Sequence, residues 1–342
     1  MSGFKNQKSI SIIATVLVVV IAGGLYWNYS KPAERAQLIV STTTSLYETG
    51  LLDVLKTKFE ANQPEYDVNF ISQGTGLAIQ TAKNGDADMI LVHSPNQELV
   101  FMESGYGVNR KIFAYNYFII VGPESDPAGI TSMDPLEALI TLAEKGAAGE
   151  ALWVSRGDNS GTHSKEKSLW AATGLRLEDL KTETSGDSGG SWYIEAGTGM
   201  TATLQLANQK DAYTLTDVAT YLKNYANGNI ELVKVVDSGK DTLNVYSAIV
   251  CDPEENLRGL FEGSMEFVRF LISHEVQSML ETYGQEEFGS TLFNPWVPEL
   301  ENPDAIIVEW VNEFAYFDGY ECPLEYRVQT GDLYQKPYSH AE

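Results

Sequence analysis

The chain has 342 residues, of which 43% are hydrophobic and 20% charged, and this balance is typical of a globular protein rather than a disordered one. The formal net charge is −24, and no run of basic residues interrupts the acidic character. This charge argues against nucleic acid and anionic lipid surfaces as partners, because both attract basic patches. A small anion is still compatible with it, provided that the binding site supplies local positive potential.

The first 30 residues predict an export signal or a membrane anchor. Lys5 and Lys8 precede a stretch without charge from residue 9 to residue 30, which is most apolar over 10–22. At about 1.5 Å per residue, a helix over 10–27 would reach about 27 Å, close to the thickness of the bilayer's hydrocarbon layer. We favour an uncleaved anchor over a cleaved signal peptide. Either one places the rest of the chain outside the cytoplasm, in the periplasm or at the cell surface, because the lysines stay inside.

Strand-like and helix-like segments alternate from residue 36 onward, which predicts an α/β fold with mixed, mainly parallel sheets. The first strands are expected near residues 37–42, 67–72, 87–93 and 115–123. Apolar spacing predicts a helix around 51–59, and a second helix from Thr75 ends at the Asn84-Gly85 pair, which is a common C-cap.

A second series follows the same pattern. Its strands are expected near residues 151–155, 192–197, 212–217 and 243–250, and its helices near 161–170, 200–209, 218–221 and 261–283. The simplest arrangement is two α/β lobes, one formed by 36–120 with 247–300 and the other by 121–246. Extended crossings near 119–123 and 245–250 would join them, and ligands usually bind in the cleft between such units.

The segment 301–342 differs in composition from the rest, with nine acidic, two basic and eight aromatic residues. We expect an acidic extension that packs its aromatic side chains against the body, with a docking surface for another protein as the alternative. Cys251 and Cys322 are too few for a disulfide scaffold, and a single disulfide or two buried free thiols are both compatible with the sequence. No residue spacing predicts a metal or a cofactor.

Three predicted helix starts are rich in hydroxyl groups and glycine: residues 41–45, 72–76 and 156–163. A helix start has unpaired backbone N–H groups and about half a positive charge, so small residues there let an anion approach. Arg156 adds a guanidinium that can hold an oxyanion with two hydrogen bonds. The alternatives are ordinary N-caps for the hydroxyls and a salt bridge with Asp158 for the arginine.

Several stretches in sequence order resemble the tungstate-binding receptors of tungstate ABC importers. They are "STTTSLYETGLLDVLKTKFEA", "GTG", "NGDADMILVHSP", "GYGVNR", "VSRGDNSGTHSKE", "WYIEAGTGM", "AYTLTDVATYL" and "LFNP", and they cover residues 38 to 295. The resemblance implies a type II periplasmic-binding-protein fold, in which two lobes close on a tetrahedral oxyanion and pass it to a permease with a cytoplasmic ATPase. It carries no counterpart for the possible anchor or for the acidic extension.

Motif by motif, the resemblance implies a set of ligand-binding residues: Thr43, Thr44, Thr75, Arg156, Ser160, Gly161 and Thr162, with Thr214 as a further candidate from the second lobe. A site made of donors without acceptors favours a fully deprotonated oxyanion, whereas phosphate prefers a site with an acceptor as well. Tungstate, molybdate and sulfate therefore remain open on the residues alone, and the choice of tungstate rests on the resemblance. We expect a monomer that is not an enzyme.

Other classes of function have weaker support. The stretch "GDSGG" at 186–190 resembles the surroundings of a serine protease nucleophile, Ser188, but those enzymes are all-β and this chain is not. Ser160 beside His163 suggests a hydrolase only if a base and an orienting group are held correctly, and adjacency does not show that. We expect His163 to be a neutral surface or supporting histidine. The tripeptide at 156–158 is an adhesion motif in other settings, but here it lies in a strand-to-helix turn. A sensor or adhesion module that binds a protein partner through the extension is a further alternative.

Overall fold

The computed structural model describes residues 35–335 except 183, 186–189, 238 and 258. The predicted signal or anchor at 1–30 and the predicted protease-like Ser188 lie outside these residues. Among the described residues, no helix combines the length and the apolar character needed to cross a bilayer.

Strands and helices alternate along the first part of the chain as predicted. The elements are β1 (Ala36–Thr43), α1 (Thr44–Glu48), α2 (Leu51–Asn62), β2 (Tyr66–Gln73), α3 (Thr75–Lys83), β3 (Met89–Val92), α4 (Pro95–Glu103), β4 (Gly107–Gly122) and α5 (Pro135–Ala147). Helices α4 and α5 were not predicted, although the start of α5 carries a clear signal. Asp134 caps it by accepting from Leu136 N at 2.9 Å, and Pro135 occupies the first helical position.

The second part continues the alternation. Its elements are β5 (Trp153–Ser155), α6 (Gly161–Ala172), α7 (Leu177–Thr182), β6 (Thr184–Ser185), β7 (Gly190–Ser191), β8 (Tyr193–Glu195), α8 (Met200–Gln209), β9 (Thr214–Asp217), α9 (Val218–Ala226), β10 (Val233–Val236) and β11 (Leu243–Cys251). The last elements are α10 (Phe261–Leu271), α11 (His274–Leu280), α12 (Gln285–Phe288), β12 (Asn294–Pro295) and α13 (Ile306–Ala315). The single helix predicted over 261–283 is wrong, because Ser273 interrupts it and caps α11 through Val276 N.

Two long strands, β4 and β11, organise the main sheet. Its order is β10-β4-β11-β3-β1-β2, with β9 and β12 also paired to β4. Strands β1 and β3 are parallel, whereas β11 is antiparallel to both β3 and β4. The predicted α/β fold with mixed sheets is confirmed. Antiparallel pairing is more extensive than expected, because β11 returns along β4 in the opposite direction.

Strand β4 changes both its partner and its core halfway along. Tyr117 still pairs with β11, while Phe118 already pairs with Asp217 of β9. Phe113 packs in one hydrophobic cluster, and Phe118 packs in another together with Trp153. A strand shared in this way supports the predicted crossing near 119–123. The predicted lobe boundaries themselves stay a prediction.

The described part of the extension packs on the body, as expected. Val311 of α13 is fully buried in a cluster with Tyr115 of β4 and Val245 of β11. Farther along, Tyr334 donates its hydroxyl to the carbonyl oxygen of Arg110 at 2.8 Å. Cys322 of the extension and Cys251 of β11 are both buried free thiols, so no disulfide joins them.

Candidate anion-binding site

The three hydroxyl-rich helix starts meet in one place. Arg156, in the turn before α6, donates from Nη2 to the Thr44 hydroxyl at the start of α1, at 2.7 Å. The start of α3 lies beside the same turn, since a Cβ atom built on Gly74 would be 4.0 Å from the Cα of Ser160. The turns that follow β1, β2 and β5 therefore form one cluster.

Two of the predicted ligand residues act as N-caps. The Thr43 hydroxyl accepts from Leu46 N at 3.2 Å, and the Ser160 hydroxyl accepts from His163 N at 3.2 Å. The alternative interpretation of these hydroxyls, as ordinary N-caps, therefore applies to both residues. A capping oxygen still has a proton to donate, so capping does not remove either residue from an anion site. Helix α3 differs, because its N-cap is Gly74 and supplies no side chain.

Two other candidates are buried hydroxyls that lack a partner. Thr75 and Thr162 lie in the first turns of α3 and α6, and both are fully buried. Within the described part of the chain, neither Oγ1 atom has a hydrogen-bond partner. Burying an unpaired polar group costs about 1–3 kcal/mol. Two such hydroxyls at neighbouring helix starts indicate that they donate to a bound ligand and not to another part of the chain.

Arg156 supplies the positive charge of the cluster. Its side chain is 2% exposed and pairs through Nε with Asp158 Oδ2 at 2.9 Å, while Asp158 keeps 17% of its side chain exposed. The other carboxylate oxygen of Asp158 accepts from Ser160 N at 3.1 Å. The predicted alternative, a salt bridge, is thus also present. The salt bridge uses Nε, and Nη2 still donates to Thr44. Arg156 therefore bonds both to Asp158 and to the start of α1.

The turn between β5 and α6 needs its small residues. Gly157 has φ +63°, and a Cβ atom there would lie 2.9 Å from the Cβ of Glu195. Asn159 follows with φ +58°, a value that asparagine tolerates better than most residues. At Gly161, a Cβ atom would come within 2.9 Å of His93 Cε1. Gly161 therefore lets α6 begin directly against the imidazole that follows β3.

His163 is buried rather than at the surface, which corrects one part of our expectation. It is 7% exposed, and its Nδ1 accepts from Asn159 N at 2.9 Å. Burial lowers its pKa, so the expected neutral form is the favoured one. Because Ser160 bonds to the backbone of His163 and not to its ring, this pair does not form the nucleophile and base of a hydrolase.

Thr214 stands apart from the other candidates. Its hydroxyl donates to the carbonyl oxygen of Val154 in β5 at 2.7 Å. This hydroxyl donates to the backbone in the structure, and a ligand role for Thr214 stays a prediction.

A fourth helix start adjoins the cluster and was missed. Gly197 N donates to the carbonyl oxygen of Arg156 at 3.0 Å, just before α8. Thr201, in the first turn of α8, donates to Glu48 Oε2 at 2.9 Å. The signal was present in the sequence, because the Gly-Thr-Gly at 197–199 repeats the one at 74–76.

The buried carboxylate of Glu166 bonds to the end of β5, next to Arg156. Glu166 of α6 accepts from Ser155 Oγ at 2.8 Å and from Tyr193 OH at 2.5 Å. The indole nitrogens of Trp153 and Trp170 donate to it as well. Burial raises its pKa, and these four donors oppose that shift. The network anchors α6 to β5 and fixes the residue next to Arg156.

The chain is similar to known proteins in both sequence and structure. Residues 30–275 match the model of the PBP superfamily domain. A Haloferax volcanii protein, whose name assigns it to anion binding in an ABC transporter, is 42% identical over 278 residues, which are 80% of this chain and 76% of that protein. The tungstate-binding protein TupA of Peptoclostridium acidaminophilum is 33% identical over 296 residues, which are 84% of this chain and 98% of that one.

A solved structure agrees with these relatives. The tungstate-binding protein TupA of Desulfovibrio alaskensis is 35% identical, covers 76% of this chain and 99% of its own, and superposes with a TM-score of 0.64. The similarity therefore extends over most of the chain and includes the fold that carries the cluster.

Proposed function

Because the chain belongs to the PBP superfamily and is a homologue of the tungstate-binding proteins of ABC transporters, we propose that it captures tungstate outside the cytoplasm for an ABC importer. Its relatives are transport binding proteins and not enzymes. A hydrolase is further disfavoured by the separation of the Ser160 hydroxyl from the His163 ring. Molybdate, sulfate and phosphate are the competing ligands that an experiment has to separate.

The observation that carries this proposal is a pair of buried hydroxyls, beside a buried arginine, that have no hydrogen-bond partner among the residues that the structure describes. Thr75, Thr162 and Arg156 are all within 2% of complete burial. Transferring a dianion into such a site is costly unless donors surround it. Hydroxyl groups, a guanidinium and the N–H groups of helix starts provide such donors.

We assign the ligand contacts to a subset of the predicted residues. Thr44, Thr75, Thr162 and Arg156 would donate from their side chains, and Gly161 from its backbone. Thr43 and Ser160 would orient the helix starts as caps, and Thr214 is left out. The carboxylate of Asp158 pairs with Arg156, and each of its two oxygens already accepts a hydrogen bond. Asp158 is therefore a weaker hydrogen-bond acceptor for a protonated anion such as phosphate than a carboxylate without these bonds would be.

Capture would proceed by closure of the two lobes about the crossings in β4 and β11. Contacts between the parts of the chain assigned to different lobes are already present, namely Arg156 with Thr44 and Thr201 with Glu48. An anion that bonds to both sides would favour the closed form, because some of its contacts exist only there. Residues 1–30 would tether the protein to the membrane, and the released anion would pass to the permease.

Calorimetric titration of the full-length chain in mild detergent tests the proposal. The protein is first freed of bound anions, and then tungstate, molybdate, sulfate and phosphate are added separately. We expect saturable one-to-one binding of tungstate and much weaker binding of sulfate and phosphate. At about a hundred times the dissociation constant, tungstate should stabilise the fold by about 2.7 kcal/mol. Folded protein that binds none of the four anions contradicts the proposal.

A further inference from the structure

His93 lies between two of the helix starts and is not one of the ligand residues assigned above. It follows β3 directly and is 4% exposed. Its ring stacks on Tyr246 of β11 with centroids 4.9 Å apart. Its Nε2 lies 3.2 Å from the Ser45 hydroxyl in α1, and Gly161 at the start of α6 packs against its Cε1. His93 thus contacts both α1 and α6.

The neighbours of His93 fix where its proton resides. Asn244 donates from Nδ2 to Asn116 Oδ1 at 2.8 Å and to the Tyr246 hydroxyl at 2.9 Å. Its Oδ1 is therefore the atom that faces His93 Nδ1, at 2.9 Å, and Nδ1 must donate. Burial lowers the pKa of His93 to about 4, because it outweighs the opposing effects of Asp217 and Asn244, and Arg156 lowers the pKa slightly further. The ring is therefore neutral, and Nε2 is an acceptor.

The hydroxyl groups of α1 then have defined directions. Ser45 must donate its proton to His93 Nε2. Thr43, whose oxygen accepts from Leu46 N, must donate to Ser45 across 3.3 Å. The Thr44 hydroxyl accepts from Arg156 Nη2 and keeps its own proton. Of the three hydroxyls at residues 43–45, only that of Thr44 is free to donate to an anion.

We propose that His93 is a positioning residue for the anion site, acting through Ser45. It accepts a hydrogen bond from Ser45 and thereby fixes the directions of the hydroxyl groups at residues 43–45. The Thr44 hydroxyl is then the one that can donate to an anion. Through Asn244 and Asn116, His93 also connects this turn to β11 and β4, the strands that cross between the two parts of the fold. The inference rests on the proposed function, because its readout is the affinity for an oxyanion.

Four variants of the full-length chain test this inference, with tungstate as the titrant. His93→Leu removes the acceptor, and Ser45→Ala removes the donor. We expect each to weaken binding about tenfold, the size of one net hydrogen bond. Because both act on one contact, the double variant should bind no more weakly than either single variant. His93→Gln places an amide oxygen where Ser45 can donate, and it should stay within about threefold of the wild type.

The control is Ser168→Ala, which removes an exposed hydroxyl from α6 and should bind like the wild type. A role in packing alone would change the free energy of unfolding and leave the dissociation constant unaltered. His93→Leu with wild-type affinity, or losses that multiply in the double variant, would overturn the inference. If His93→Leu does not fold, unaltered affinity in Ser45→Ala overturns it instead. A wild type that binds none of the oxyanions removes the proposed function and this inference together.

Discussion

Among the described residues, two clusters that contain buried cationic side chains are neutralised differently. Where the extension docks on β4, Arg110 and Lys111 are fully buried and pair with Glu98 at 2.8 Å and Glu321 at 2.7 Å. At the candidate anion site, the partner of Arg156 is Asp158, which is 17% exposed. The first cluster, here called the extension dock, is closed by carboxylates that are themselves buried.

The two places differ further in the polar atoms that remain. In the extension dock, Glu321 also accepts from Ile112 N at 2.6 Å, and the unbonded Nη2 of Arg110 belongs to a guanidinium that lies 4.8 Å from the Phe317 ring. At the anion site, the buried atoms that lack a partner among the described residues are the uncharged hydroxyls of Thr75 and Thr162 and the Nε2 of His163. A buried cation closed by the protein's own carboxylates indicates a structural contact, and donors left over at helix starts indicate a binding site.

Removing the carboxylate of the extension dock should have the largest effect. Glu321→Ala removes the buried carboxylate that pairs with Lys111, and loss of one partner of a buried pair costs about 3–5 kcal/mol. We expect a decrease of this size in the free energy of unfolding, measured by denaturant titration. Tungstate affinity of the folded protein should stay within about twofold. The exposed Glu325→Ala is the control and should change stability by less than about 0.5 kcal/mol. A Glu321→Ala protein as stable as the wild type would contradict the structural role of the extension dock.

Acid should lower the free energy of unfolding of the protein, because His93 is buried in its neutral form. Its pKa is lowered from 6.5 to about 4 by burial, so below pH 6.5 the unfolded chain takes up a proton that the folded chain rejects. The free energy of unfolding should therefore fall by about 3 kcal/mol between pH 6.5 and about 4, at 1.36 kcal/mol per pKa unit. The measurement is the difference between the stability curves of wild type and His93→Gln, in which other titrating groups cancel. Parallel curves would show that His93 does not titrate in this way.

Removing the cation of the anion site should change binding more than stability. Arg156→Ala is expected to weaken tungstate binding about 100-fold, or about 2.7 kcal/mol. The Asp158 that it leaves behind is partly exposed, so the loss of stability should be smaller than for Glu321→Ala. Calorimetry and denaturant titration give the two quantities, and Arg176→Ala, at a side chain that is 77% exposed, is the matched control. Equal affinity in Arg156→Ala and the control would contradict the assignment.

The sequence predicted the α/β fold and the clustering of three helix starts, because both follow from local patterns. Apolar spacing marks α2, and hydroxyl and glycine residues mark the turns after β1, β2 and β5. It could not predict that the Thr75 and Thr162 hydroxyls lack partners in the described part of the chain while that of Thr214 has one, since the partner of Thr214 lies in another strand. The role of His93 was equally hidden, because its contacts with Ser45 and Asn244 span 48 and 151 residues.

The most direct test of the difference between the two regions is to replace the partnerless hydroxyls by methyl groups. In Thr75→Val and Thr162→Val, calorimetry with tungstate and denaturant titration without ligand are measured on the same preparation. Each variant should bind tungstate about tenfold more weakly, while the ligand-free protein is as stable as the wild type or more stable, because an unpaired buried hydroxyl is removed. Unchanged affinity together with lower stability would mean that these hydroxyls serve the fold, and it would contradict the assignment of the site.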